Sequence, residues 1–91
     1  MITDDVIYKY PIRIGFGKQK IKMPLGAEII KLALQNDIPT IWAIVYPEEK
    51  ELEDVTFITR GTGHPIENSG SLFYIDTYFL DTLVYHVFKQ E

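Results

Sequence analysis

The strongest constraint on this chain is a two-residue rhythm of apolar side chains, carried by aromatic and β-branched residues. Val6, Tyr8 and Tyr10 alternate with Ile7 and Lys9. Ile12, Ile14 and Phe16 resume the pattern around Arg13, and Ile21 and Met23 alternate with Lys20 and Lys22. A period of two sends successive side chains to opposite faces of a pleated strand, the surface that such residues favour. Pro11 should bend or interrupt the first strand, Gly15-Phe16-Gly17 supplies turn chemistry, and Pro24 should end the next strand.

Residues 25–35 fit two periods: Leu25, Ile29 and Leu32 match a helix, whereas Ile30, Leu32 and Leu34 match a strand. Propensity favours helix. However, Asn36-Asp37 is a turn signal, and an apolar run of strand length follows at 41–46, so the flanks read as a hairpin. A strand is expected, with one short helix at 25–35 as the alternative. After Pro47, residues 48–54 read as a solvated acidic loop held extended by self-repulsion. Residues 55–60 alternate again, 61–71 form the longest loop, and 72–79 with 83–88 make a last strand pair around a turn at 80–82.

Runs 41–46 and 72–79 are apolar on both faces over part of their length, which one open sheet with a wet side cannot accommodate. The expected fold is therefore all-β and mostly antiparallel: a small barrel or sandwich of about six to seven strands in one domain, 1–91. Fully burying a Phe- or Leu-sized side chain contributes about 1.5–3 kcal/mol. Apolar strand surface left over would drive copies together, so a homo-oligomer, most simply a dimer, is expected.

Composition bounds the function. Hydrophobic residues at 46% and charged residues at 24% describe a folding chain rather than a disordered one. A net charge of -4 argues against general nucleic-acid binding while leaving room for a local basic patch. The lack of Cys excludes disulfides, thiolate metal sites and cysteine nucleophiles. No apolar run approaches the roughly 18 residues of a spanning helix. The opening Met-Ile-Thr-Asp-Asp lacks the parts of a signal peptide, so a cytoplasmic location without membrane partners is expected.

Catalytic signatures fail one by one. Gly15-Phe16-Gly17-Lys18 is followed by Gln19 rather than Ser or Thr, so it is no phosphate loop, and Ile66 stands where Gly61-Thr62-Gly63 would need glycine for a dinucleotide fingerprint. The two histidines lack zinc-protease spacing, and neither has Ser or Thr two residues on. Ser69, His64 and Asp76 could be assembled into a triad, but no nucleophile elbow accompanies them. No catalytic residue, metal site or cofactor is expected. His86, between Tyr85 and Val87, reads as a half-buried, hydrogen-bonded histidine of an apolar strand.

The remaining candidate is an anion site. His64 lies in a glycine-rich loop just after Arg60, where loop amides, an imidazole and a guanidinium could converge on phosphate. Lys9, Arg13, Lys18, Lys20, Lys22 and Lys31 hold six of the nine cations. They could form a cationic face beside Arg60 and His64, with Tyr8, Tyr10, Trp42 or Tyr78 stacking on a base. The candidate ligand-binding set is Arg60, Gly61, Thr62, Gly63, His64, Trp42 and Tyr10.

Several segments together resemble a family of small uncharacterised proteins encoded mainly by bacteriophages. The resemblance is carried by Lys9-Tyr10-Pro11, Met23-Pro24-x-Gly26-Ala27, Gln35-Asn36, Pro39-x-x-Trp42-Ala43-x-Val45, Gly61-Thr62-Gly63-His64-Pro65-Ile66 and His86-Val87-Phe88. It implies a β-rich reading of 25–35. It also implies, by analogy with small phage proteins that neutralise host immunity, sequestration of a nucleotide-derived signal. The function expected is thus non-enzymatic binding of a small anionic, nucleotide-like ligand. The alternatives are an inhibitor or adaptor docking on a host protein, and a small His-dependent hydrolase or lyase.

Overall fold

The computed structural model describes residues 4–91; residues 1–3 of the opening Met-Ile-Thr-Asp-Asp segment lie outside the described residues. The strands are β1 (Val6–Pro11), β2 (Gly17–Pro24), β3 (Glu28–Gln35), β4 (Ile38–Val45), β5 (Leu52–Gly61), β6 (Leu72–Leu80) and β7 (Leu83–Gln90). They form two antiparallel sheets, ordered β1-β4-β3 and β2-β5-β7-β6. The all-β expectation holds with seven strands, and the sheets do not close into a barrel. Among the described residues the sole helical element is the 3-10 turn Ser69–Ser71, so 25–35 is strand and not helix.

Local chemistry accounts for the hairpins. Asn36 and Asp37 both adopt positive φ, 52° and 64°, in a two-residue turn closed by the pair Gln35 and Ile38. Such left-handed turns match the twist of the strands they join, and Asn and Asp tolerate them. Pro39 is accepted in the central strand because β1 ends at the Pro11–Thr40 pair, so its nitrogen faces no ladder acceptor. Its carbonyl takes the Ile12 N–H at 2.9 Å.

Two expectations need correction. Residues 12–16 do not continue β1 as a strand. Ile12 is buried, Gly15 takes φ 92°, and the segment carries the chain from the three-stranded to the four-stranded sheet. Its apolar alternation reflects one buried residue and two exposed ones, not a ladder. The acidic segment 48–54 is loop only in its first half, because β5 begins at Leu52 and pairs through Asp54 with β2. Lys22 Nζ donates to Asp54 Oδ1 at 2.9 Å and holds that carboxyl below its ordinary pKa, so cross-strand pairing overcomes the local repulsion.

The inner faces of the sheets meet in one core of Ile12, Met23, Leu32, Ile41, Val55, Phe57, Tyr78 and Val87. At the edges, β3 is bulged at Ile29/Lys31 and β6 at Tyr74/Asp76, irregularities that interrupt edge pairing. Tyr78 ties the crossing segment to the core: its phenol accepts the Gly15 N–H at 3.0 Å, and burial pushes its pKa up. In Tyr78→Phe that amide loses its acceptor, and a loss of about 1 kcal/mol in urea denaturation is expected. Thr59 Oγ1 is buried without a hydrogen-bond partner. Thr59→Val keeps the shape and removes an unsatisfied hydroxyl, so a gain of up to about 1 kcal/mol in the same assay is expected.

Candidate functional site

The outward face of the four-stranded sheet gathers the polar chemistry. Residues paired across strands point to the same side, so the register defines rows. One row runs Arg60, His86, Thr77, and the next runs Lys18, Ile58, Phe88, Tyr74. Lys20 opposes Thr56, and Lys22 opposes Asp54.

Phe16, just ahead of β2, lies beside Arg60. The guanidinium carbon stands 4.3 Å from the ring centroid, and Arg60 Nη1 donates to the Thr59 carbonyl at 3.0 Å. His64 meets the same ring edge-on, with centroids 5.8 Å apart. The chain turns immediately after β5, where the His64 N–H donates to the Gly61 carbonyl and the Thr62 N–H to that of Val84. The His64 ring packs closely over Gly61: its Nδ1 would lie 3.0 Å from an added Cβ, so a larger residue there would displace the ring by a few tenths of an ångström. The turn thereby folds His64 back over the sheet.

His86 is held at both nitrogens. Thr62 Oγ1 lies 2.7 Å from Nε2, Thr77 Oγ1 lies 2.9 Å from Nδ1, and Tyr74 Oη lies 2.6 Å from Thr77 Oγ1. A neutral imidazole donates through one nitrogen and accepts through the other, whereas an imidazolium donates through both; hydroxyl partners satisfy either state. The chain of hydroxyls fixes the ring without supplying a carboxylate. An imidazolium formed by taking a proton from Thr62 would find a hydroxyl, not a carboxylate, at Nδ1.

Between these groups lies an open hollow of about 230 Å³, lined by Arg60, the 61–64 turn, Ile66, His86 and Phe88. Five of the seven candidate residues, Arg60, Gly61, Thr62, Gly63 and His64, line it together. Tyr10 and Trp42 belong to the other sheet and do not: Tyr10 packs against the core, and Trp42 lines a separate hollow on that sheet's outer face. Tyr78 is 3% exposed and cannot stack on a ligand. Ser69 and Asp76 do not line the hollow with His64, and the Asp76 carboxylate accepts the Thr77 N–H instead. Lys9 and Lys31 lie in the three-stranded sheet, away from the row of Lys18, Lys20 and Lys22. Among the described residues no group of three or more His, Cys, Asp or Glu could hold a metal ion. No helix among them is long and apolar enough to cross a membrane.

Sequence reading missed Phe16, His86 and Phe88 as members of this site. His86 and Phe88 alternate along β7 as Arg60 and Ile58 do along β5. That parity was visible, but the pairing that joins the two strands was not.

Fold and site define a small two-sheet β protein with a hollow on one face that brings one guanidinium, two imidazoles and an aromatic ring together. Over residues 3–91 the chain matches the family described as Domain of unknown function (DUF7352), and it belongs to that family. Comparison with curated proteins and with solved structures returns no match.

Proposed function

We propose that this chain is a non-enzymatic protein that binds a small anionic, nucleotide-like ligand in the hollow beside Arg60. The observation that carries the reading is the convergence of Arg60, His64 and His86 on one hollow edged by Phe16 and Phe88. The guanidinium supplies forked donors suited to phosphate, and the imidazoles add donors or positive charge. Phe16 remains 60% exposed although Arg60 stands over its ring, which leaves surface for a planar base.

Sequestration of a nucleotide signal, as a phage protein opposing host defence in the host cytoplasm would require, is the biological form of this reading. Copies would meet through the outer face of the three-stranded sheet, where Ile7, Ile30, Ala33 and Trp42 line an apolar hollow of about 300 Å³. Light scattering tests that part, with a dimer mass expected. Calorimetry of the purified protein against cyclic and ADP-ribose-derived nucleotides tests the ligand. Saturable heat with at least one is expected, and uniform absence of heat would remove the reading.

A further inference from the structure

The cationic surface extends beyond the hollow along the edge strand β2. Lys18, Lys20 and Lys22 alternate on the same face as Arg60, because each opposes an outward residue of β5: Ile58, Thr56 and Asp54. At a rise of about 3.4 Å per residue, alternate residues stand roughly 6.8 Å apart. That interval is close to the one between successive phosphates of an extended single strand. Lys22 is paired with Asp54, whereas Lys18 and Lys20 form no ion pair among the described residues. Arg13 joins them, its Nη2 donating to the Lys18 carbonyl at 3.0 Å.

Across the sheet from the lysines, beyond Ile58 on β5, the face carries Phe88 on β7 and Tyr74 on the opposite edge strand β6. Phe88 and Tyr74 meet edge-to-face at 5.7 Å, and Tyr74 is 58% exposed. Lysines on an edge strand also discourage sheet-to-sheet pairing. That role explains the charges but not the exposed ring of Phe16 next to them or that of Tyr74 across the sheet on β6. At about 230 Å³ the hollow is smaller than the roughly 300–1,000 Å³ of a typical ligand pocket, so it holds one part of a nucleotide and leaves the rest over this face.

We infer that the outer face of the four-stranded sheet binds single-stranded nucleic acid, with phosphates along Lys18 and Lys20 and bases on Phe16, Phe88 and Tyr74. This rests on the reading of the hollow and names its ligand class. A duplex hides its bases from such a face, whereas a single strand offers both backbone charge and open rings. Asp54 is the acid of this face in the β2–β5 register, and Lys22 neutralises it, while Glu48, Glu49 and Glu51 lie in the β4–β5 connection and Asp37 and Asp81 in hairpin turns.

The test pairs fluorescence anisotropy with a labelled oligothymidylate of about ten nucleotides and calorimetry with thymidine monophosphate. The oligonucleotide should bind at least tenfold more tightly. Its log affinity should fall with log salt at a slope of about -3, as four cations (Arg13, Lys18, Lys20 and Arg60) on phosphates predict. The double variant Lys18→Ala/Lys20→Ala, changed only at exposed positions, should reduce that slope by about 1.4 and leave mononucleotide heat unchanged. Tyr74→Ala should weaken the oligonucleotide by about fivefold to a hundredfold. An oligonucleotide held no more tightly than the mononucleotide, or a double variant that binds like the parent, overturns the inference while leaving the hollow as a ligand site. Silence with both ligands overturns the inference, and the hollow falls with it when the cyclic and ADP-ribose-derived nucleotides are silent as well.

Discussion

Replacing Phe57 with Ala is expected to lower unfolding free energy by about 3–5 kcal/mol, read from urea denaturation. Phe57 has 0% exposure and sits on β5 between Gln19 of β2 and Lys89 of β7, facing the core shared by both sheets. Truncation removes a ring's transfer energy and leaves a cavity that neighbouring strands cannot close, because ladders fix them on either side. Against a total of about 5–15 kcal/mol for an ordinary domain, this consumes a large share. Phe57→Leu retains most of the apolar volume and should cost much less. Trp42, the single tryptophan, reports from the other sheet, so loss of its signal together with far-ultraviolet ellipticity would demonstrate unfolding of both sheets at once. A loss below about 1 kcal/mol in Phe57→Ala would contradict a core built around this ring.

The second large effect concerns binding. Arg60→Ala should reduce affinity for an anionic nucleotide by roughly ten- to a hundredfold in calorimetry, the loss expected when charge-assisted hydrogen bonds to phosphate disappear. Stability should change little, because the stack on exposed Phe16 contributes about 0.5–1 kcal/mol. Arg60→Lys keeps the charge but loses the planar fork, so it should fall between parent and Ala. Unchanged affinity in Arg60→Ala would place the ligand elsewhere and sink the assignment of this hollow. The comparison separates charge from fold, since a ligand-binding loss without a shift in the denaturation midpoint cannot be attributed to unfolding.

The strands were legible where the governing physics is local. Asn36-Asp37 announced a tight hairpin, and the hairpin decided that 25–35 would be strand despite its helix-forming Leu and Ala residues. Pro24 ended β2 as expected. Legibility failed where partners distant in sequence decide the outcome. Ile12, Ile14 and Phe16 alternate like a strand, yet no ladder receives them; Leu52, Glu53 and Asp54 look like loop, yet β2 does. The site divides in the same way. Residues 60–64 are contiguous, so their convergence could be read from the sequence. Tyr10 and Trp42 share only residue type with them, and it takes the register of β5 and β7, with the ring contacts of Phe16, to bring in His86, Phe88 and Phe16 instead.

The order in which the chain visits its sheets has a bearing on how it folds. β2 belongs to one sheet although its neighbours in sequence, β1 and β3, belong to the other, so the path is plaited. Neither layer can be cut out as an independent piece: the three-stranded one waits for Val6–Pro11 to find Ile38–Val45, and the four-stranded one for Gly17–Pro24 to find Leu52–Gly61. Acquiring the native state should therefore be all-or-none and unhurried, in the millisecond-to-second range typical of topologies dominated by distant pairings.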